Sequence, residues 1–409
     1  MKVLYVVGTC LTRNTSANMS HNGYVQGLLE NGCEVDILMA KDSWGQEDKG
    51  LRKWEDATYY VYDSETFLSK LRKKFSHANK FSVSQTALDK SGENVSQKLP
   101  IKRLIRESLK KVFYALFPVN PLYPLEECWL SNASSFKSKK HYDLIVSNSS
   151  PSASHKLVED LISKKRVSYS RWIQIWEDPW YYDLYGRHGS NIKNEEHRLL
   201  QVASEVYYVS PLTLYYQKEL YPDCAQKLKY VPLPALKYES NTIKHRDTEC
   251  LSFGYFGDYY SATRNLKPFY EALLQNGNRG NIYGDNDLYL ESTSKIVVRR
   301  RVTLDELSSI QANTDILVHL CNLKGGQIPG KIYHYSVTKK PILFILDGTP
   351  TEVEILRKHF SKYNRYFFCD NNVASILACL KEISEAVRYT KEFDVVTDFL
   401  PVNVVKQIL

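Results

Sequence analysis

At 409 residues and 47.3 kDa the chain exceeds one ordinary hydrophobic core, so two domains are expected. A hydrophobic fraction of 43% argues against wholesale disorder, and no apolar run approaches the roughly 20 residues that span a bilayer. The net charge of +8 is local: Lys70 to Phe113 carries twelve Lys/Arg against three Asp/Glu, which implies a local anionic partner rather than a general nucleic-acid coat. The opening Met1 to Val7 is too short for a secretory core and reads as a buried first strand, so a cytoplasmic chain is expected. Eight cysteines form no Cys-x-x-Cys pair and the histidines no metal spacing. Reduced thiols, no metal and no bound cofactor are the expectation.

In chain order, Val3 to Val7 is a β-branched run, 9–21 a polar loop and 23–30 a helix that Gly32 ends. Val35 to Met39 is the next strand, and strand–helix–strand with a short return implies a parallel sheet. Residues 76–98 are polar and without period, and are read as a mobile loop. Over 101–117 apolar residues recur at i, i+3, i+4, with Lys102, Arg103, Arg106, Lys110 and Lys111 on the other faces. This basic amphipathic helix is either a surface helix of its own domain or a contact for anionic lipid headgroups.

Further strands follow at 143–147, 172–176 and 205–210, and the Pro-bearing stretch 230–234 marks a domain boundary. Beyond it the alternation restarts. Strands are expected at 251–256, 281–283, 295–302, 315–320, 341–346 and 365–369, with helices at 265–276, 304–312, 330–338, 351–360 and 373–389. Two doubly wound halves place a cleft between the carboxyl ends of two sheets, where α/β proteins bind ligands.

Gly254-Tyr255-Phe256-Gly257-Asp258 closes the first strand of the second half, and Arg264-Asn265 follows. A glycine turn with an arginine beside it suits a diphosphate, although strand-to-helix glycines are common. Further on, Asp315 to Leu320 leads into Gly325-Gly326-Gln327-Ile328-Pro329-Gly330-Lys331, then Ile332-Tyr333-His334-Tyr335. That is an anion cradle without the spacing of a Walker A loop.

The order aliphatic strand, Gly-rich loop, Pro-Gly-Lys-Ile-Tyr-x-Tyr, Lys-Pro-Ile-Leu resembles the donor-site signature of GT-B glycosyltransferases, the family 4-like group in particular. Gly-Cys-Glu-Val at 32–35, Ala203 through Ser210, and Gly257 with Arg264-Asn265 are similar to further segments of that family. The resemblance implies a GT-B fold of two Rossmann-like domains. Residues 1–234 would bind the acceptor and 235–388 the nucleotide-sugar, with 389–409 returning toward the first domain.

It also implies site residues. Gly257, Arg264, Asn265, Gly330 and Lys331 would hold the diphosphate, Arg301 and Val302 would border the base, and Gly326, Gln327 and His334 would face sugar or ribose. The family carries two glutamates eight residues apart here; this chain has Gly326 and His334 in their places. In the first half, Glu177-Asp178-Pro179 lies among Trp172, Trp176, Trp180, Tyr181, Tyr182 and Tyr185. Aromatic faces pack on sugars and a carboxylate at a strand end can accept a hydroxyl proton, so Asp178 first and Glu177 second are the candidate catalytic groups. The other reading is an aromatic mini-core with a capping Asp. Ser16, Asn18, His21, Ser150 and Trp180 are candidate acceptor contacts.

The expected activity is metal-independent transfer from a nucleotide-diphosphate sugar to a hydroxyl of a lipid-linked glycan, of the retaining type, in surface-polysaccharide synthesis. The expected place is the inner face of the cytoplasmic membrane, peripherally bound. A non-catalytic GT-B-like partner subunit and a nucleotide-sugar epimerase are the alternatives. No helix-turn-helix, finger or RNP pattern supports nucleic-acid binding.

Overall fold

The computed structural model describes residues 1–13, 15–41, 51, 53–65, 121–184, 186, 188–236, 250–390 and 392–409. The expected loop at 76–98 and the basic helix at 101–117 lie outside the described residues. Two parallel sheets organise the chain.

The first sheet contains β1 (Lys2–Val7), β2 (Glu34–Ala40), β3 (Ala57–Tyr62), β4 (His141–Asn148), β5 (Ser168–Trp176), β6 (Glu205–Tyr208) and β7 (Leu228–Tyr230), in the order β3-β2-β1-β4-β5-β6-β7. Its central strands are hydrophobic on both faces because helices cover both: Val3 to Val7 are all fully buried. Around it lie α1 (Ser16–Glu30), α2 (Glu127–Ala133), α3 (Ala153–Ser163), α4 (Ser190–Val202) and α5 (Pro211–Leu220). Helices α2 to α5 and strand β3 were not legible as elements in the sequence.

The second sheet contains β8 (Ser252–Phe256), β9 (Arg279–Tyr283), β10 (Ile296–Arg299), β11 (Ile316–Leu320), β12 (Ile342–Leu346) and β13 (Tyr366–Asp370), ordered β10-β9-β8-β11-β12-β13. Its helices are α6 (Lys267–Asn276), α7 (Leu304–Ala312), α8 (Lys331–Ser336), α9 (Pro350–Ser361) and α10 (Val373–Tyr389). Every expected element of this half is present, shifted at most a few residues at its ends.

One expectation needs correction. Helix α1 starts at Ser16 rather than Gly23, so Ser16, Asn18 and His21 sit on its first turns and not on a loop. Two polar side chains explain the early start. Thr15 Oγ1 accepts the Asn18 N–H at 3.1 Å, and the Asn18 amide donates to the carbonyls of Cys10 and Arg13 at 2.8 Å each. The first bond satisfies an N–H that a helix start otherwise leaves open, and the other two tie the preceding loop to the helix.

After β7, residues 231–236 form no helix or strand, and Ala235 N–H donates to the Phe399 carbonyl at 2.8 Å. Beyond α10 the chain returns: α11 (Pro401–Lys406) packs on α1, and a Cβ on Gly27 would collide with the Pro401 carbonyl. The first-sheet core is continuous with residues of α8, α9 and the C-terminal segment. The strand order reverses between β1 and β4 in one sheet and between β8 and β11 in the other. Ligands bind at such reversals, beyond the strands' carboxyl ends.

No helix among the described residues is long and apolar enough to cross a membrane.

Candidate active site

On the second domain, β8 runs into Gly257-Asp258, and three cations surround that turn. Lys331, at the start of α8, donates its ammonium to the Phe256 carbonyl. Its Nζ lies 3.7 Å from where a Cβ on Gly257 would stand. Arg264 Nη1 donates to the Asp258 carbonyl at 3.0 Å. Arg301 Nε donates to Asp258 Oδ1 at 2.9 Å and lies 3.5 Å from Asp285 Oδ2, with its side chain 67% exposed.

Burial pushes the Lys331 amine down to about 8; the Asp258 carboxylate opposes that, and Arg264 and Arg301 add to it. A lysine destabilised as a cation by burial and by two neighbouring cations gains from a bound anion. His334, one turn on, is held neutral to about pH 4 by burial and by Lys331.

The remaining donor candidates have defined places. Asn265 accepts the Lys267 N–H at 3.2 Å and the Asn371 amide on its own carbonyl at 3.0 Å. Val302 is half-buried against the core. Gly330 faces the stretch after β7, where a Cβ would stand 2.9 Å from Leu233 Cδ1.

On the first domain, the turn after β5 carries Glu177, Asp178 and Trp180. Buried Glu196 of α4 holds it: its two oxygens accept the N–H groups of Trp180 at 2.9 Å and Tyr181 at 3.0 Å, and the Tyr221 hydroxyl at 3.0 Å. His21 Nε2 lies 3.2 Å from Glu177 Oε1, and both side chains are buried. Burial raises the Glu177 carboxyl and His21 opposes that. Asp178 is raised to about 7, first by burial; Gln327 opposes this, while Glu177 and Asp183 add to it.

Beside the turn is a cavity of about 280 Å³, lined among others by Asp178, Trp180, Asp183, Ser149, Ser150 and Tyr123. Trp180 packs on Tyr123 with ring centroids 5.2 Å apart. Ser150 is exposed at the rim and Ser16 is exposed on α1, whereas Asn18 is wholly buried in the bonds that close the loop before α1. Trp172 and Trp176 belong to the core, their indoles donating to Ser147 and Gln174 at 2.8 and 2.9 Å. Trp180 is partly buried against the same core and, like Trp176, lines the cavity.

The Gly-rich loop spans the cleft. Gly326 offers its carbonyl to Ser210 Oγ at 2.6 Å and Thr213 Oγ1 at 2.8 Å, both at the start of α5. A Cβ on Gly326 would stand 3.0 Å from Thr213 Cα, and Gly325, at φ +88°, packs on Leu184. Glu352 takes the Gly325 N–H at 3.0 Å and the Tyr216 hydroxyl at 3.1 Å. The Gln327 side chain reaches Asp178, not a donor-side group.

Sequence reasoning missed Asp183, Glu196 and Glu352. Only Glu352 had a local signal, the capping-box spacing Thr349-x-x-Glu352.

The chain matches no known family model and no curated protein sequence. Its fold is similar to that of the lipopolysaccharide outer core galactosyltransferase WaaB, at TM-score 0.51 and 12% identity, over 100% of this chain and 98% of that one. Anabaena HepE in complex with UDP gives 0.54 and 12% over the same shares. The E. coli trehalose-6-phosphate protein bound with UDP-2-fluoro glucose gives 0.53 and 10%, again over 100% and 98%. With the two parallel α/β domains described above, this likeness over the whole chain gives the molecule the fold of the GT-B glycosyltransferases.

Proposed function

We propose that this chain transfers a sugar from a nucleotide-diphosphate donor to a hydroxyl of a lipid-linked glycan in cell-surface polysaccharide synthesis. One observation carries the reading: a cation-ringed glycine turn on one domain, at a reversal of strand order, and a carboxylate-bearing, Trp180-lined cavity beyond β4 and β5 of the other. Solved proteins of the same fold, bound with UDP or UDP-2-fluoro glucose, support the donor class. WaaB, a lipopolysaccharide galactosyltransferase, supports a glycan acceptor.

As the bond from the anomeric carbon to phosphate breaks, negative charge grows on the departing diphosphate. Lys331 and Arg264 are placed to stabilise it, and two fixed cations there do the work a metal ion does elsewhere. The acceptor lies in the Asp178 cavity with its sugar face on Trp180. In a retaining transfer the departing phosphate oxygen takes the hydroxyl proton while Asp178 orients that hydroxyl. The basic stretch Lys70 to Phe113 supplies peripheral membrane attachment, at about 1 kcal/mol per cation near an anionic leaflet. High salt should release it.

The test is thermal stability with UDP, GDP, dTDP and CMP, each with magnesium and with EDTA. A ligand at 100 times its Kd stabilises by about 2.7 kcal/mol. A shift with one diphosphate that persists in EDTA is expected; no shift with any of them overturns the reading. A non-catalytic subunit is the second reading, favoured by Gly326 and His334 standing where the resembling family has acids. Separate substitution of Asp178, Arg264 and Lys331 decides, because a scaffold keeps its function through all three.

A further inference from the structure

The bond network across the cleft assigns a role to Gln327 that its position in a donor-side loop does not suggest. Its Nε2 donates to Asp178 Oδ1 at 2.5 Å and to Asp183 Oδ1 at 3.2 Å, and its Oε1 accepts the Leu184 N–H at 3.0 Å. One amide from the second domain thus ties three residues of the first-domain turn. Asp178 and Asp183 are like-charged groups that repel unless a donor stands between them, and the Gln327 amide nitrogen is that donor.

The rest of the loop is built to bring it there. Gly325 and Gly326 leave no room for a side chain against Leu184 and Thr213. The Gly326 carbonyl is fixed by Ser210 and Thr213, and the Asn322 amide donates to the Gln327 carbonyl at 2.9 Å. Approach of the two domains, not the local sequence, places this side chain.

We propose that Gln327 is a positioning residue: its amide, supplied by the donor-side domain, holds Asp178 and Asp183 in register across the cleft, so the acceptor-side acid is set only while the domains are closed. The catalytic meaning rests on the glycosyl-transfer reading; the clasp itself does not. Among the described residues, the other charged groups beside Asp178 are Glu177, with His21 behind it, and Glu126 on the cavity wall. Neither touches Gln327.

The experiment uses the full chain with 13Cγ-labelled aspartate, the Asp178 resonance being identified by its loss in Asp178→Asn. Two variants are compared with the natural protein. Gln327→Met keeps the volume and removes every bond. Gln327→Glu keeps an acceptor for the Leu184 N–H but puts a third carboxyl where the donor was.

In Gln327→Met the titration midpoint of Asp178 should rise by half a pH unit or more, and Leu184 amide exchange should speed up at least tenfold. In Gln327→Glu the midpoint should rise further while Leu184 stays protected. A purely structural role for Gln327 would change exchange in Gln327→Met and leave both midpoints alone, which overturns the proposal. Unchanged exchange and unchanged midpoints overturn it too. Binding of UDP, GDP, dTDP and CMP, measured on the same samples, separates the two ideas: absence of binding by all four defeats the glycosyl-transfer reading and leaves the titration result standing.

Discussion

The two walls of the cleft solve opposite electrostatic problems. On the donor side, Lys331 and two arginines crowd a glycine turn, so the positive charge is in excess and the lysine is driven down to about 8. On the acceptor side, Glu177, Asp178 and Asp183 share one turn, and Asp178 is driven up to about 7. Burial is the largest cause in both cases. The difference lies in compensation: on the acidic wall His21 and the Gln327 amide of the opposite domain oppose the effect of burial, while on the basic wall Asp258 opposes it and Arg264 and Arg301 add to it. On the proposed function, that asymmetry suits one wall to neutral hydroxyls and the other to a diphosphate.

The largest effect that tests this contrast is at Lys331. Lys331→Ala should lower kcat/KM by about 10²- to 10³-fold, the scale for removing one fixed donor from a developing charge. Nucleotide affinity should fall with it, as read by calorimetry. Retained affinity would move the diphosphate elsewhere.

Next in size is the pH response. Asp178 carries its charge above about pH 7 and Lys331 below about pH 8. Both are charged only between those values, so turnover that needs both should be bell-shaped with its maximum there. The limbs belong to different walls: Lys331→Arg should carry the alkaline limb upward and leave the acid limb in place. A profile in which both limbs move would show one coupled cluster instead of two walls.

A third effect concerns the loop between the walls. Gly326 stands where the resembling family carries an acid, and restoring it is the instructive change. A Cβ at 326 would stand 3.0 Å from Thr213 Cα and 3.2 Å from its nitrogen, backbone atoms that cannot swing away. Gly326→Glu should therefore cost about 1–3 kcal/mol of stability, as overpacking does, and should lower activity. A rise in activity would show that the loop opens readily and that the clasp is weak.

How much of this was legible beforehand differs between the walls for a physical reason. The donor candidates lie on two strand–loop–helix units, Gly257 with Arg264 and Gly330 with Lys331, each singled out by its own local pattern although the two units meet from 75 positions apart. The acceptor turn was found by its aromatic residues and Asp178. Its supports were not, because Glu196 reaches it from 15 or more positions away without a local pattern, and Gln327, which the sequence assigns to the donor side, meets it only across the cleft. The early start of α1 was hidden likewise, since its polar first turns are buried against the rest of the domain rather than exposed as a loop would be.

The smallest effect is the cleanest measure of how firmly the walls are joined. The Tyr333 hydroxyl of α8 donates to the Val209 carbonyl at 2.6 Å, a fully buried bond between the donor-side helix and the end of the first sheet. Tyr333→Phe keeps the ring, which packs edge-on against Phe399 at 4.9 Å, and removes the hydroxyl, which also pairs with the Tyr230 hydroxyl at 3.4 Å. The cost should be about 1–3 kcal/mol, set by a buried carbonyl left without its partner. Chemical denaturation should show that loss with donor affinity unchanged, because the ring still fixes α8 and Lys331 at its start. If nucleotide affinity falls as well, the hydroxyl is part of what aims Lys331 at Gly257, and the basic wall depends on domain contact as much as the acidic one does.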